Sequence, residues 1–140
     1  MKEAYVTLEI AERLKALGFR EETNRYYNTQ YDQIRTVSDT FMMDWNDEEH
    51  MASITMPGAV SIPTHQMTVD WLIEKYNMII VVEPNHHADN EWDAHIYKGH
   101  YRSEWAGIGF SNRFDAVEKS IEYALDLIEI KNKEDDDIDS

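Results

Sequence analysis

The residue types best suited to chemistry gather in one stretch, His86-His87-Ala88-Asp89-Asn90-Glu91-Trp92-Asp93-Ala94-His95, with His100 beyond it. Imidazole together with carboxylate is the ligand set of zinc, nickel and ferrous iron. If Glu91 to Tyr97 is a strand, its period of two puts Glu91, Asp93 and His95 on one face. His86 or His87 can fold over that face from the loop. A three-ligand site with an open position can therefore be drawn, and a metal-dependent enzyme would be centred on His86, His87, Asp93 and His95. The spacing matches no defined metal motif, and there is no H-E-x-x-H. A calcium loop counted from Asp89 fails, because Ala94 stands where the turn needs glycine and His100 where it needs glutamate. A polar loop leading into a strand with one wet face contains the same residues, and the sequence favours that reading. No cofactor is expected.

Covalent catalysis has less support. There is no G-x-S-x-G, and Gly107-Ile108-Gly109 is an isolated pair of glycines rather than a phosphate-cradling loop. Serines 38, 53, 61, 103, 111, 120 and 140 stand in no recognisable catalytic setting. Paired carboxylates are plentiful, but in so acidic a chain pairs arise by composition alone. The expectation is therefore a protein that is not an enzyme.

With 28 acidic against 13 basic residues, the formal net charge is -15. Such a surface repels phosphate backbones and anionic membranes, so neither direct nucleic-acid binding nor membrane binding is expected. It favours basic protein partners. The acidic groups cluster at Asp44, Asp47, Glu48 and Glu49, at Asp89, Glu91 and Asp93, and at Glu129 with the tail. Carboxylates grouped this way can imitate a phosphate backbone and occupy a basic groove on another protein. Solvated loops and turns account for the same clusters. Trp92, Tyr101 and Trp105 are candidate aromatic anchors for an interface, and Trp92 joins the acidic residues in the candidate binding patch. Trp71 lies on a helical apolar stripe and reads as core.

The elements that must carry these residues are legible in places. At 140 residues and 42% apolar, the chain has the size and composition of one folded domain. It has no cysteine, which excludes disulfides and thiolate chemistry and favours a reducing, cytoplasmic setting. No signal peptide opens it, and its longest apolar run, Met78 to Val82, is too short to span a bilayer. Thr7 caps a helix to about Leu17, with Leu8, Ala11, Leu14 and Leu17 as its stripe, Gly18 as its left-handed end and Phe19 packed back over it. Tyr26-Tyr27 and Tyr31 suit a strand or a packed loop. Phe41 to Trp45 and Met51 to Met56 read as short strands around a turn at Asn46 to Glu49. Thr64 caps a second helix to about Tyr76, ended by Asn77 and followed by a central strand from Met78 to Val82. Glu91 to Lys98 and Trp105 to Phe110 are further strands, and the glycines of the latter hint at close backbone approach. Asn112 caps the last helix, with Phe114, Val117, Ile121, Ala124, Leu125 and Ile128 on its buried stripe.

Together these predict an α+β fold: a small antiparallel sheet of three to five strands with two or three amphipathic helices packed on one face. Residues 1–130 form the single domain, and 131–140 an acidic, disordered tail.

Several segments also resemble small uncharacterised proteins of phages and mobile elements of gut Bacteroidales. They are Ile62-Pro63-Thr64 opening a helix with Trp71-Leu72, then Tyr76-Asn77-Met78-Ile79-Ile80, the hairpin with Trp92, and Phe114-Asp115-Ala116-Val117-Glu118. The opening Tyr5 to Ala11, with Leu14-Lys15 and Gly18-Phe19, fits the same pattern. The resemblance carries no known activity. It implies a small protein of the host cytoplasm, made during infection or element transfer. The leading expectation is an accessory protein that binds another protein with a basic surface, in one form an inhibitor of a host defence protein. The alternatives are the metal-dependent enzyme above and a structural virion or self-assembling component.

Overall fold

The computed structural model describes residues 4–85, 89–98 and 102–139. They form four α-helices and two antiparallel sheets, the α+β class that the sequence predicts. Where the sequence anticipates one sheet, the strands of the described residues divide into two sheets of three. The chain clusters as two compact units, residues 1–66 and 67–140. Each unit has its own sheet.

In the first unit, α1 (Leu8–Ala16) starts where Thr7 accepts the Ile10 amide, 3.3 Å away, on its hydroxyl. It ends in a Schellman motif. Gly18 at φ +92° lets its own amide reach the Lys15 carbonyl and the Phe19 amide reach that of Leu14. Phe19 is fully buried, as its position after the glycine predicts. The buried face is Ile10, Ala11 and Leu14, so the core stripe includes an isoleucine the spacing argument passes over.

β1 (Arg25–Asn28) pairs with β2 (Gln33–Thr36) and with β3 (Val60–Ser61), in the order β2–β1–β3. Alternation turns Tyr26 inward, where its ring stacks on Trp45 with centroids 3.9 Å apart. Met51 and Ala59 complete this buried cluster, and Val37, Met43 and Met56 pack against it.

Asn46 joins three segments of this unit. Its amide nitrogen donates to the Phe19 carbonyl at 2.8 Å, and its oxygen accepts the Ser61 amide at 2.9 Å. The Ser61 hydroxyl in turn accepts the Trp45 amide at 3.0 Å. A buried polar side chain is tolerated when its bonds are made, and these are.

Residues 41–56 do not form the two expected strands. Asp39–Phe41 is a short 3-10 turn, and of the first expected strand only Met43 pairs, in an isolated bridge to Thr23. Of the second expected strand, Met51 to Ser53 belong to a helix, α2 (Glu48–Ser53), and residues 54–56 lie beyond its end. Asp47, placed in the expected turn, is its N-cap and accepts the His50 amide at 3.1 Å. Glu48 and Glu49 lie in the first turn, where the helix dipole favours negative charge.

The second unit is built on α3 (His65–Tyr76), β4 (Met78–Pro84), β5 (Trp92–Lys98), β6 (Arg102–Phe110) and α4 (Arg113–Asp139). α3 begins directly after Thr64, and Asn77 at φ +54° turns the chain into β4. The sheet order is β4–β5–β6, so β5 is central and the Met78 to Val82 run lies on an edge strand. Ala94 and Ile96 of β5 are buried, and α4 packs on this sheet, contacting all three strands. Ala116, Val117, Ile121, Ala124, Leu125 and Ile128 are buried on α4. Each fully buried leucine or isoleucine contributes about 1.5–3 kcal/mol. Phe114, on the stripe by spacing, is 46% exposed, because burial starts two residues later, at Ala116.

Asn112 caps α4, accepting the Asp115 amide at 2.8 Å while its own amide nitrogen donates to the Asp115 carboxylate at 3.0 Å. The helix does not stop near Ile130. It runs on to Asp139 through a segment with neither glycine nor proline. The close approach expected at the β6 glycines is present: a Cβ on Gly107 would lie 2.4 Å from the Phe110 ring.

Candidate functional site

The first acidic cluster is largely taken up within its own unit. Asp44 receives the Arg20 Nε at 2.6 Å and the Asn46 amide at 3.0 Å. Asp47 caps α2 and lies 3.6 Å from the same guanidinium. Glu48 pairs with Lys15, whose ammonium also donates to the Ala59 carbonyl at 2.8 Å. Glu49 is exposed on α2. Asp44, Asp47 and Glu48 therefore hold the loop between α1 and α2, and reversing their charge would disturb the fold as well as the surface.

These pairs shift titration in the expected directions. Hydrogen bonding and charge from Asp44 raise the Arg20 pKa. The Lys15 ammonium holds Glu48 below the ordinary glutamate value. A depressed carboxylate stabilises the fold above its unfolded pKa and stops doing so as pH falls through the folded value. Glu48 is well exposed, so screening keeps the effect small. Glu48→Gln is expected to lower stability by about 0.5 kcal/mol at about pH 7. The difference should vanish by about pH 2, in urea melts run at both pH values.

The second cluster lies in the second unit. Asp89 is exposed in a turn, and Asn90 follows at φ +63°. Trp92 opens β5, half-buried. The Asp93 carboxylate accepts the Gly109 amide at 3.1 Å and the Asn85 side-chain amide at 3.3 Å. Gly109 has φ +73°, and the β5–β6 register shifts between Trp92 and His95. Asp93 thus holds an irregular part of the sheet. The Glu91 carboxylate lies at the same place, 3.7 Å from where a Cβ on Gly109 would stand.

His95 faces away from buried Ala94 and Ile96, on the side of Tyr97, whose ring meets it edge-on at 6.0 Å. Asp93 and His95 therefore share a face, as the strand period predicts. His86, His87, His100 and Tyr101 lie outside the described residues. Among the described residues, no group of three or more histidine and carboxylate side chains is arranged to hold a metal ion. Likewise no helix of the described residues is long and apolar enough to cross a membrane.

A further line of carboxylates, of which the sequence reading counted only Glu129 among its acidic clusters, runs along α4, with Lys119 and Lys133 on the same side. Asp115, Glu122, Asp126 and Glu129 fall at i, i+7, i+11 and i+14 on α4, which sets them along one side of the helix. They span about 21 Å. Asp126 and Glu129 are exposed, and Glu122 lies 3.4 Å from Lys119. The heptad spacing was visible in the sequence. What hid it was the stronger apolar stripe on the opposite side. Comparison with protein families, characterised proteins and solved structures finds no match.

Proposed function

We propose that this protein acts without catalysis, by binding another protein that carries a basic surface. The observation that carries the reading is the acidic side of α4, a rigid element that holds carboxylates about 21 Å along one line. The net charge of -15 supplies long-range attraction to the same kind of partner. Basic grooves of this sort belong to proteins that bind nucleic acid. On the resemblance to phage and mobile-element proteins, the specific partner we infer is a host defence protein, inhibited by imitation of its nucleic-acid ligand in the host cytoplasm.

The test is capture of the partner from host lysate with the wild type and with a Glu122→Lys, Asp126→Lys, Glu129→Lys variant. Binding is expected at about 0.05 M salt and lost at about 0.5 M. The triple variant should bind at least about tenfold more weakly and keep its melting curve, since two of the three side chains are exposed. Duplex DNA should displace the captured partner. A partner held equally well through the salt change and the triple reversal would overturn the proposal.

A further inference from the structure

A cleft of about 360 Å³ opens in the second unit where β4 starts and β5 ends. Met78 and Lys98 stand directly opposite each other there, on paired strands. The α4 stretch from Leu127 to Asp135 and the end of α3 at Tyr76 line the rest. Met78 and Ile128 are buried and Leu127 half-buried, so the inner wall is apolar. Lys98 is half-buried beside them, and Lys131 lies exposed at the mouth with Asn132 and Asp135.

The charges are the informative part. The chain has 28 acidic residues for 13 basic ones, so an ion-pair partner should be easy to find. Yet no ion pair of the described residues involves Lys98 or Lys131. Two ammonium groups against one carboxylate give the cleft a net charge of about +1 inside a strongly negative molecule. That balance suits a monoanion better than a phosphate dianion. The volume lies at the small end of ligand sites, about 300–1,000 Å³. Burial also pushes the Tyr76 phenol's pKa up, so its hydroxyl stays a neutral donor.

We propose that this cleft binds a small amphipathic monocarboxylate. Its carboxylate sits between Lys98 and Lys131, and its hydrocarbon lies on Met78, Leu127 and Ile128. The site is independent of the acidic side of α4 and of the partner proposed above.

Octanoate, octylammonium and octanol are the probes, titrated into the full chain labelled at Met, Leu and Ile methyls and followed by NMR. Octanoate should give saturable shifts centred on the Met78, Leu127 and Ile128 methyls, with weak affinity of about millimolar order. Octylammonium, with a chain of the same length and a cationic headgroup, should bind at least about tenfold more weakly. Lys98→Gln and Lys131→Gln together should weaken octanoate binding by about tenfold or more, whereas Lys119→Gln should leave it unchanged. Lys98→Arg keeps the charge and should keep binding, which covers the case of an unstable glutamine variant. Equal binding of octanoate and octylammonium, shifts centred on other methyls, or no saturation by about 20 mM would overturn the proposal.

Discussion

Trp45→Ala should lower the stability of the first unit by about 3–5 kcal/mol, the range for removing a large buried aromatic. Trp45 is 4% exposed and stacked on Tyr26. Its ring is shared with Met51 and Ala59, so truncation opens a cavity that the short β3 and the six-residue α2 are poorly placed to fill. The indole also donates to the Thr23 carbonyl at 2.8 Å. Trp45→Phe keeps a stacked ring but removes the indole N–H together with part of the ring volume. The Thr23 carbonyl keeps its bond from the Met43 amide at 3.2 Å, so the lost indole bond should cost only about 1 kcal/mol. Urea melts read by far-UV circular dichroism measure both variants. A loss below about 1 kcal/mol for the alanine variant would mean that the stacked pair is not a core element.

Leu125→Ala should cost about 2–5 kcal/mol, because the side chain is fully buried on the side of α4 that meets the sheet. Two comparisons on the same helix make this specific. Ile130, 57% exposed, should tolerate alanine within about 0.5 kcal/mol. Phe114→Ala should cost less than about 1.5 kcal/mol despite the larger side chain removed, because the ring is 46% exposed. If Phe114→Ala proved as damaging as Leu125→Ala, the helix would begin to bury two residues earlier than the structure places it. Thermal and urea melts of the three variants decide it.

Phe114 also shows where sequence reading reaches its limit. Its spacing puts it on the right side of α4, but spacing says nothing of where along a helix the sheet begins. The helix itself was legible, because six buried positions repeat at i, i+3 and i+4 behind an Asn112 cap. α1 was legible for the same reason, with a Thr7 cap and a Gly18 end that each have one structural use. α2 was not. Its six residues hold one fully buried side chain, Met51, so no apolar period exists to find, and the Asp47-Glu48-Glu49 start was the only signal. β2 was invisible for the opposite reason, being exposed along all four residues, so its pairing with β1 leaves no alternation in Gln33 to Thr36.

The candidate site divides in the same manner. Composition gave the excess of negative charge, and strand period correctly put Asp93 and His95 on one face. It could not show that Asp44 and Asp47 answer to Arg20, more than twenty positions earlier, or Glu48 to Lys15. Nor could it bring Lys98 and Lys131 to one cleft, since their meeting depends on where α4 crosses the end of β5. Long-range pairing of charges is set by the packed elements, and residue types alone do not encode it.

The bridge between Tyr5 and Thr64 has its own implication for how the first unit assembles. Residues 4–6 bond to residues 63–65, Val6 to the Pro63 carbonyl at 3.1 Å and His65 to the Ala4 carbonyl at 2.7 Å. The contact closes a loop of about 60 residues, which costs about 2 kcal/mol more in chain entropy than closing the β1–β2 hairpin. During synthesis at roughly 5–20 residues per second, Tyr5 waits about 3–12 s for Thr64 to be made. α1 and the hairpin can form in that interval, but the clasp that joins the unit's two ends cannot, so closing those ends comes late in its assembly.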